Sequence, residues 1–209
     1  MHCHRYLITS THLNQKAFFT TKLFITSNRL SNWRCLSAVD FLTIPKASNN
    51  ERTTMTFAQS ERVALSQASM AILMRELNVA TVTSITVVPT EHYLGRVEYS
   101  MMPDLCTVGT LKNRLVANLS NVCGGNLAGA DFVGDSGTWH TAHELATRIA
   151  DMENPDWRDT QSYLQTYILQ SCMLRASTLV ANNESRIRSL AARLVQKGEL
   201  KGADLVAFF

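Results

Sequence analysis

At 209 residues and 45% hydrophobic content the chain is long enough to bury a core, which suits one domain with an appended arm. The formal net charge of +3 is unevenly held: residues 1–50 carry Arg5, Lys16, Lys22, Arg29, Arg34 and Lys46 against Asp40 alone, leaving 14 basic and 16 acidic groups in the rest. The body therefore lacks the basic excess of a nucleic-acid binder, and no run approaches the ~18 apolar residues of a membrane span.

The arm, residues 1–56, is free of acids before Asp40, rich in Ser and Thr, and dotted with cations between Phe18, Phe19, Leu23, Phe24 and Ile25. A segment drawn across an energised membrane must be cationic and amphipathic, so the arm reads as a transit peptide or a disordered basic tail. The organelle expected is the mitochondrion, with the plastid as the alternative. After the polar junction "SNNERTTMTF", a helix is predicted from about Phe57 to Leu77. Its apolar residues Val63, Ala64, Leu65, Ala68, Ala71, Ile72, Leu73 and Leu77 recur at three and four, which buries one face. Met70 lies seven residues from both Val63 and Leu77 and is expected to share that buried face.

"ATVTSITVVPTEHYLGRVEYS" places β-branched residues on both sides of a Pro89–Gly95 loop and predicts a hairpin. "TVGTLKNRLVANLSNVCGG" predicts a second amphipathic helix, closed at Gly124-Gly125 by a residue tolerant of the left-handed conformation. A glycine-rich loop to Gly137 leads to a helix near Thr141–Met152. Helices over about Trp157–Ala181 and Glu184–Lys197 follow, broken by Asn182-Asn183, with a short helix at the end punctuated by Gly198 and Gly202. Trp157, Tyr163 and Tyr167 are spaced as a core or interface stripe rather than a base-stacking platform. The fold class expected is mainly α (α+β), with one small β-hairpin over residues 57–209. Cys3, Cys35, Cys106, Cys123 and Cys172 contain no CxxC pair, and they read as buried thiols of a reducing compartment.

Five blocks in this order resemble the peptidase domain of FtsH-type, membrane-anchored, ATP-dependent zinc metalloproteases, over residues 57–209. "ERVALSQASMAIL" stands where that family carries a helical His-Glu-x-Gly-His, and "ITVVPTEHYLG" resembles its hairpin, keeping Pro89, Leu94 and Gly95. "LKNRLVANLSNVCGGNLAG" keeps Leu111, Arg114 and Gly125 of a third block. "HELATRIADM" keeps Ala146, Thr147, Ile149, Ala150 and Met152 of a fourth, and "RIRSLAARLVQKGELKGADL" is similar to the closing helices. The resemblance implies a helical peptidase-like fold.

The family's chemistry needs two histidines one turn apart as zinc ligands and a glutamate between them as base on the metal-bound water. At the matching positions this chain has Ser66, Gln67 and Met70. Gln67 cannot accept a proton from water, and the Met70 thioether is a poor partner for zinc. Where the family places a third ligand, an Asp, the chain reads Thr141-Ala142-His143 and is one residue longer; Asn126 and Gly129 replace the family's Arg and Glu. No catalytic residue is therefore assigned.

Outside the arm the histidines are His92, expected exposed in the hairpin loop, and His140 and His143, expected at a helix start. His140, His143 and the adjacent Glu144 form the only spacing with metal-ligand character, without an evident third ligand from elsewhere. No GxxxxGK[ST] is present. "GDSG" and "GGNLAG" read as caps and turns, and Ser66 has no neighbouring His to activate it.

The function expected is that of an inactive peptidase-like protein without cofactor, a structural or accessory subunit whose partners are other subunits of an organellar assembly or FtsH-type paralogues. Two alternatives stand beside it. One is a zinc metalloendopeptidase with displaced ligands at His140, His143 and Glu144, and the other a regulatory subunit of mixed FtsH-type rings.

Overall fold

The structure, a computed structural model, describes residues 56–91, 93–102, 106–129, 134–155 and 161–209. The arm, with Cys3 and Cys35, lies outside the described residues, as do His92 and Trp157. The described elements are mainly helical, with one small open sheet of three strands.

Helix α1, Phe57–Glu76, begins at a reciprocal cap. Thr56 Oγ1 accepts from the Gln59 N–H at 3.3 Å, and the Gln59 side chain accepts from the Thr56 N–H at 2.9 Å. Periodicity predicts one buried face, yet from Val63 to Met74 every residue except Met70 is buried. A helix covered on nearly all sides is the central element of its domain. Strand β1 (Ala80–Thr86), helix α2 (Val108–Gly125) and helix α5 (Glu184–Lys197) pack against it. Helices α3 (Ser136–Glu153) and α4 (Gln161–Asn182) sit against α2. Leu65, Ile72 and Leu73 of α1 meet Leu111, Leu115 and Leu119 of α2 and Ile187, Leu190 and Leu194 of α5 in one fully buried cluster.

β1 pairs antiparallel with β2 (Arg96–Met101), Ile85 opposite Val97, with a register shift between Val82 and Ser84. The predicted hairpin is therefore present, but the sheet has a third strand. β3, Glu199–Lys201, pairs with the other edge of β1, in the order β2-β1-β3. Three residues are too short to display a period of two, so the sequence pattern does not reveal this strand. The chain turns into and out of it at Gly198 and Gly202, with φ of 76° and 48°. A short helix α6, Ala203–Val206, follows.

Gly124 and Gly125 do not close α2 in the left-handed conformation. The chain runs on through a 3₁₀ turn, Asn126–Ala128, and the left-handed residue is Gly129, at φ 76°. Gly124 answers to packing instead: a Cβ there would fall inside Ser69 Oγ and 2.6 Å from the Leu65 carbonyl oxygen of α1. The two helices meet almost backbone to backbone at this point.

α3 starts earlier than its apolar pattern suggests, because Asp135 Oδ1 accepts from the Thr138 N–H at 2.6 Å and caps it. His140 and His143 are thus inside the helix rather than at its start. On α4, Tyr163 and Tyr167 are 78% and 61% exposed, which removes them from the core and leaves the interface half of that expectation. Among the described residues, no helix is long and apolar enough to cross a membrane.

Candidate functional site

The centre of α1 holds the three positions singled out by sequence, and they meet three different environments. Ser66 is buried, and its hydroxyl donates to Asn121 Oδ1 of α2 at 2.7 Å. One turn on, Ser69 Oγ donates to the Leu65 carbonyl at 2.8 Å, so both serine hydroxyls are spent within the α1–α2 contact. Gln67 is also buried, beneath the loop between β1 and β2: a Cβ on Gly95 would come 3.2 Å from Gln67 Cγ and 2.5 Å from Val63 Cγ1. The loop seats against α1 only because residue 95 has no side chain.

Met70 departs from the expectation of a core side chain. It is half-buried, packed on the edge of the core, and it lines an open cavity of about 680 Å³. The reason lies in helix placement: α3 packs on α2 and makes little contact with α1, so the α1 surface at Met70 is left uncovered. Met74 and Val79 continue the same wall, Tyr99 and Met101 enter from β2, and Arg114 and Asn118 enter from α2. From α3 come His140, His143, Glu144 and Arg148. Asn118 Nδ2 donates to the Thr138 carbonyl at 2.8 Å, fixing the first turn of α3 to α2 beside the cavity.

The structure therefore brings Met70 together with His140, His143 and Glu144, while Ser66 and Gln67 are not among the residues lining that cavity. His140 Nε2 lies 3.2 Å from Glu144 Oε1 on the next turn, both side chains mostly exposed. The His143 ring is 6.5 Å from that of Trp139, tilted by 42°. Among the described residues, no group of three or more His, Cys, Asp or Glu side chains converges in a metal-binding cluster.

The thiols divide. Cys123 and Cys172 are buried, and burial pushes the Cys123 thiol up to about 12 and raises that of Cys172. Cys106 is exposed, against expectation, and its sulfur accepts from Arg148 Nη2 at 3.1 Å.

Sequence reasoning missed Met74, Tyr99, Met101, Arg114 and Arg148 as neighbours of the candidate residues. Met70 and Met74 stand four apart and so share a helix face, a signal that was present. The contributions of β2 and α2 depend on tertiary contacts and left no local trace. Comparison with protein-family models finds no match to this chain, and comparison with curated proteins finds none either.

Proposed function

We propose that the chain is a catalytically inactive, FtsH-type peptidase-like protein, acting as a structural or accessory subunit of a mitochondrial assembly. The observation that carries this reading is the centre of α1. The position matching the family's first ligand is Ser66, whose hydroxyl is committed to Asn121, and the position matching the base is Gln67, buried under the hairpin loop. Neither group can hold a metal or take a proton from water. Losing such a site costs the hydrophobic framework nothing, because the replacements pack or hydrogen-bond within the same helix pair.

A subunit role also has a surface suited to it. The exposed side of α4 presents Tyr163, Tyr167 and Leu174, and across its 22 residues the helix has a single charged side chain, Arg175. Depletion of charge with exposed tyrosines is the composition of an interface core. Affinity purification of the tagged chain from mitochondria, with mass spectrometry of co-purifying proteins, tests the reading. Stoichiometric recovery with one large assembly is expected. Recovery with active FtsH-type proteases would make the chain a regulator of mixed rings, and recovery of the chain alone would reject a subunit role.

The second reading, a zinc peptidase with displaced ligands, draws on one observation: His140, His143 and Glu144 all border the cavity that Met70 faces. Elemental analysis separates the two. About one zinc per chain, with chelator-sensitive cleavage of casein, would favour the peptidase.

A further inference from the structure

Helix α4 buries one side and leaves the other open. Ile168, Cys172, Ala176 and Val180 are buried in the core. On the opposite side stand Tyr163, Tyr167, Gln170, Leu174, Ser177 and Ala181, at alternating spacings of four and three residues. At 3.6 residues per turn these six share an arc of about 80°. All are exposed except Ser177, which is half-buried. Alternation of four and three is the spacing by which one helix packs along another. Thr166, Ser171 and Thr178 flank the row, exposed and uncharged. Arg175, the single charged residue of α4, lies to one side, where it donates to Asn113 Oδ1 of α2 at 2.9 Å.

The order of side-chain sizes in this row points to its partner. Its spacings read the same from either end, so a second copy turned end for end about the level of Cys172 meets it in register. Tyr163 then faces Ala181 of the other copy, Tyr167 faces Ser177, and Gln170 faces Leu174. Each ring is set against a small side chain, the alternation of large and small by which facing layers interdigitate. A parallel copy would stack tyrosine on tyrosine at one end and leave Ser177 and Ala181 across a gap at the other. Because the row carries no charge, an identical copy brings no like-charge repulsion to it. We propose that the chain forms a two-fold symmetric dimer through antiparallel α4 helices. The row is ~27 Å long and one helix wide, less than the ~800 Å² per partner of a standard interface, so the dimer is weak and concentration-dependent. This inference rests on the reading of α4 as an interface and names what covers it; it does not depend on the peptidase-like reading.

Sedimentation equilibrium of the full chain, from micromolar to sub-millimolar concentration, tests the proposal. Cys3→Ser, Cys35→Ser and Cys106→Ser are introduced throughout, so that thiols of the arm and the exposed Cys106 form no disulfides. A monomer–dimer equilibrium is expected. Tyr163→Ala and Ala181→Tyr both change exposed positions and should keep the fold, which circular dichroism verifies. Each should weaken the dimer at least about tenfold, the first by removing a ring and the second by colliding with Tyr163 of the other copy. Combining them exchanges the two sizes across the axis and should restore most of the affinity. Orientation is read by cross-linking. Tyr167→Cys and Ser177→Cys chains, mixed and oxidised, should join to each other. Neither should join to itself, since like positions lie ~15 Å apart along the antiparallel pair, beyond disulfide reach. A chain that stays monomeric, a dimer indifferent to Ala181→Tyr, or self-joining of Ser177→Cys would each overturn the proposal. A monomeric chain that still purifies with a large assembly would leave the subunit reading standing, with another subunit on α4. A dimer recovered with no other protein would reject that reading and support this one.

Discussion

Gly124 lies where the backbones of α1 and α2 come closest, and its role is steric rather than conformational. Gly124→Ala would gain up to about 1 kcal/mol in helix propensity. It would also drive a methyl group into Ser69 Oγ and the Leu65 carbonyl. Because one obstacle is backbone, α2 must shift as a whole, and overpacking of this kind costs about 1–3 kcal/mol or more. Urea melts should show net destabilisation that Ser69→Gly relieves only in part; a full rescue would mean that the side chain alone sets the spacing. The thiols offer a second test at this scale. Burial raises the Cys123 pKa from 9.0 to about 12, so the thiol has no effect on stability below pH 9, and stability should fall as pH rises from about 9 to about 12, because the unfolded chain ionises first. At pH 8, iodoacetamide should modify Cys106 while sparing Cys123 and Cys172 until denaturant is added, as peptide mass spectrometry would report. Equal labelling of all three in the native protein would contradict the burial described.

Among the elements, β3 has the largest effect for its length. It ties the end of α5 back to the sheet: Ile85 pairs with Leu200, and the Val87 N–H donates to the Gly198 carbonyl at 2.9 Å. Leu200 is fully buried. Leu200→Ala should therefore cost about 2–5 kcal/mol, like other leucine truncations in cores, whereas its neighbours Glu199 and Lys201, both exposed, should tolerate alanine within about 0.5 kcal/mol. Thermal melts of the three variants provide the comparison. Similar losses at all three positions would assign the strand's contribution to its backbone pairing rather than to the Leu200 side chain.

For the whole molecule, the question is whether the proposed peptidase-like framework can accommodate the zinc chemistry of the family it resembles. Ser66→His with Gln67→Glu and Met70→His would rewrite the helix motif in one step. The first two substitutions insert an imidazole and a carboxylate where residues 66 and 67 are now only 1% and 8% exposed. Without full hydrogen bonding such burial costs several kcal/mol. A catalytic zinc also needs three protein ligands, and the new histidines supply two. The triple variant should unfold at lower urea than the parent and cleave no casein with or without added zinc. Chelator-sensitive cleavage would show that a third ligand is within reach, and it would revive the displaced-ligand reading.

Much of the local architecture was legible in the sequence because its causes act within a few residues. The polar junction "SNNERTTMTF" marks the start of α1, β-branched runs flank the Pro89–Gly95 loop, and the Asn182-Asn183 pair separates α4 from α5. What surrounds each element was not legible, since it depends on where distant segments come to rest. The periodicity of α1 identifies a buried face. It cannot say that α2, α5 and β1 would enclose that helix, or that the gap between α1 and α3 would leave Met70 alone uncovered. The same limit explains the misreading of Gly124-Gly125, a glycine pair that looks like a helix stop until the opposing backbone of α1 is seen. Spacing along one helix put Met70 near Met74 and His140 near His143; only the tertiary structure put the methionines and the histidines around one cavity.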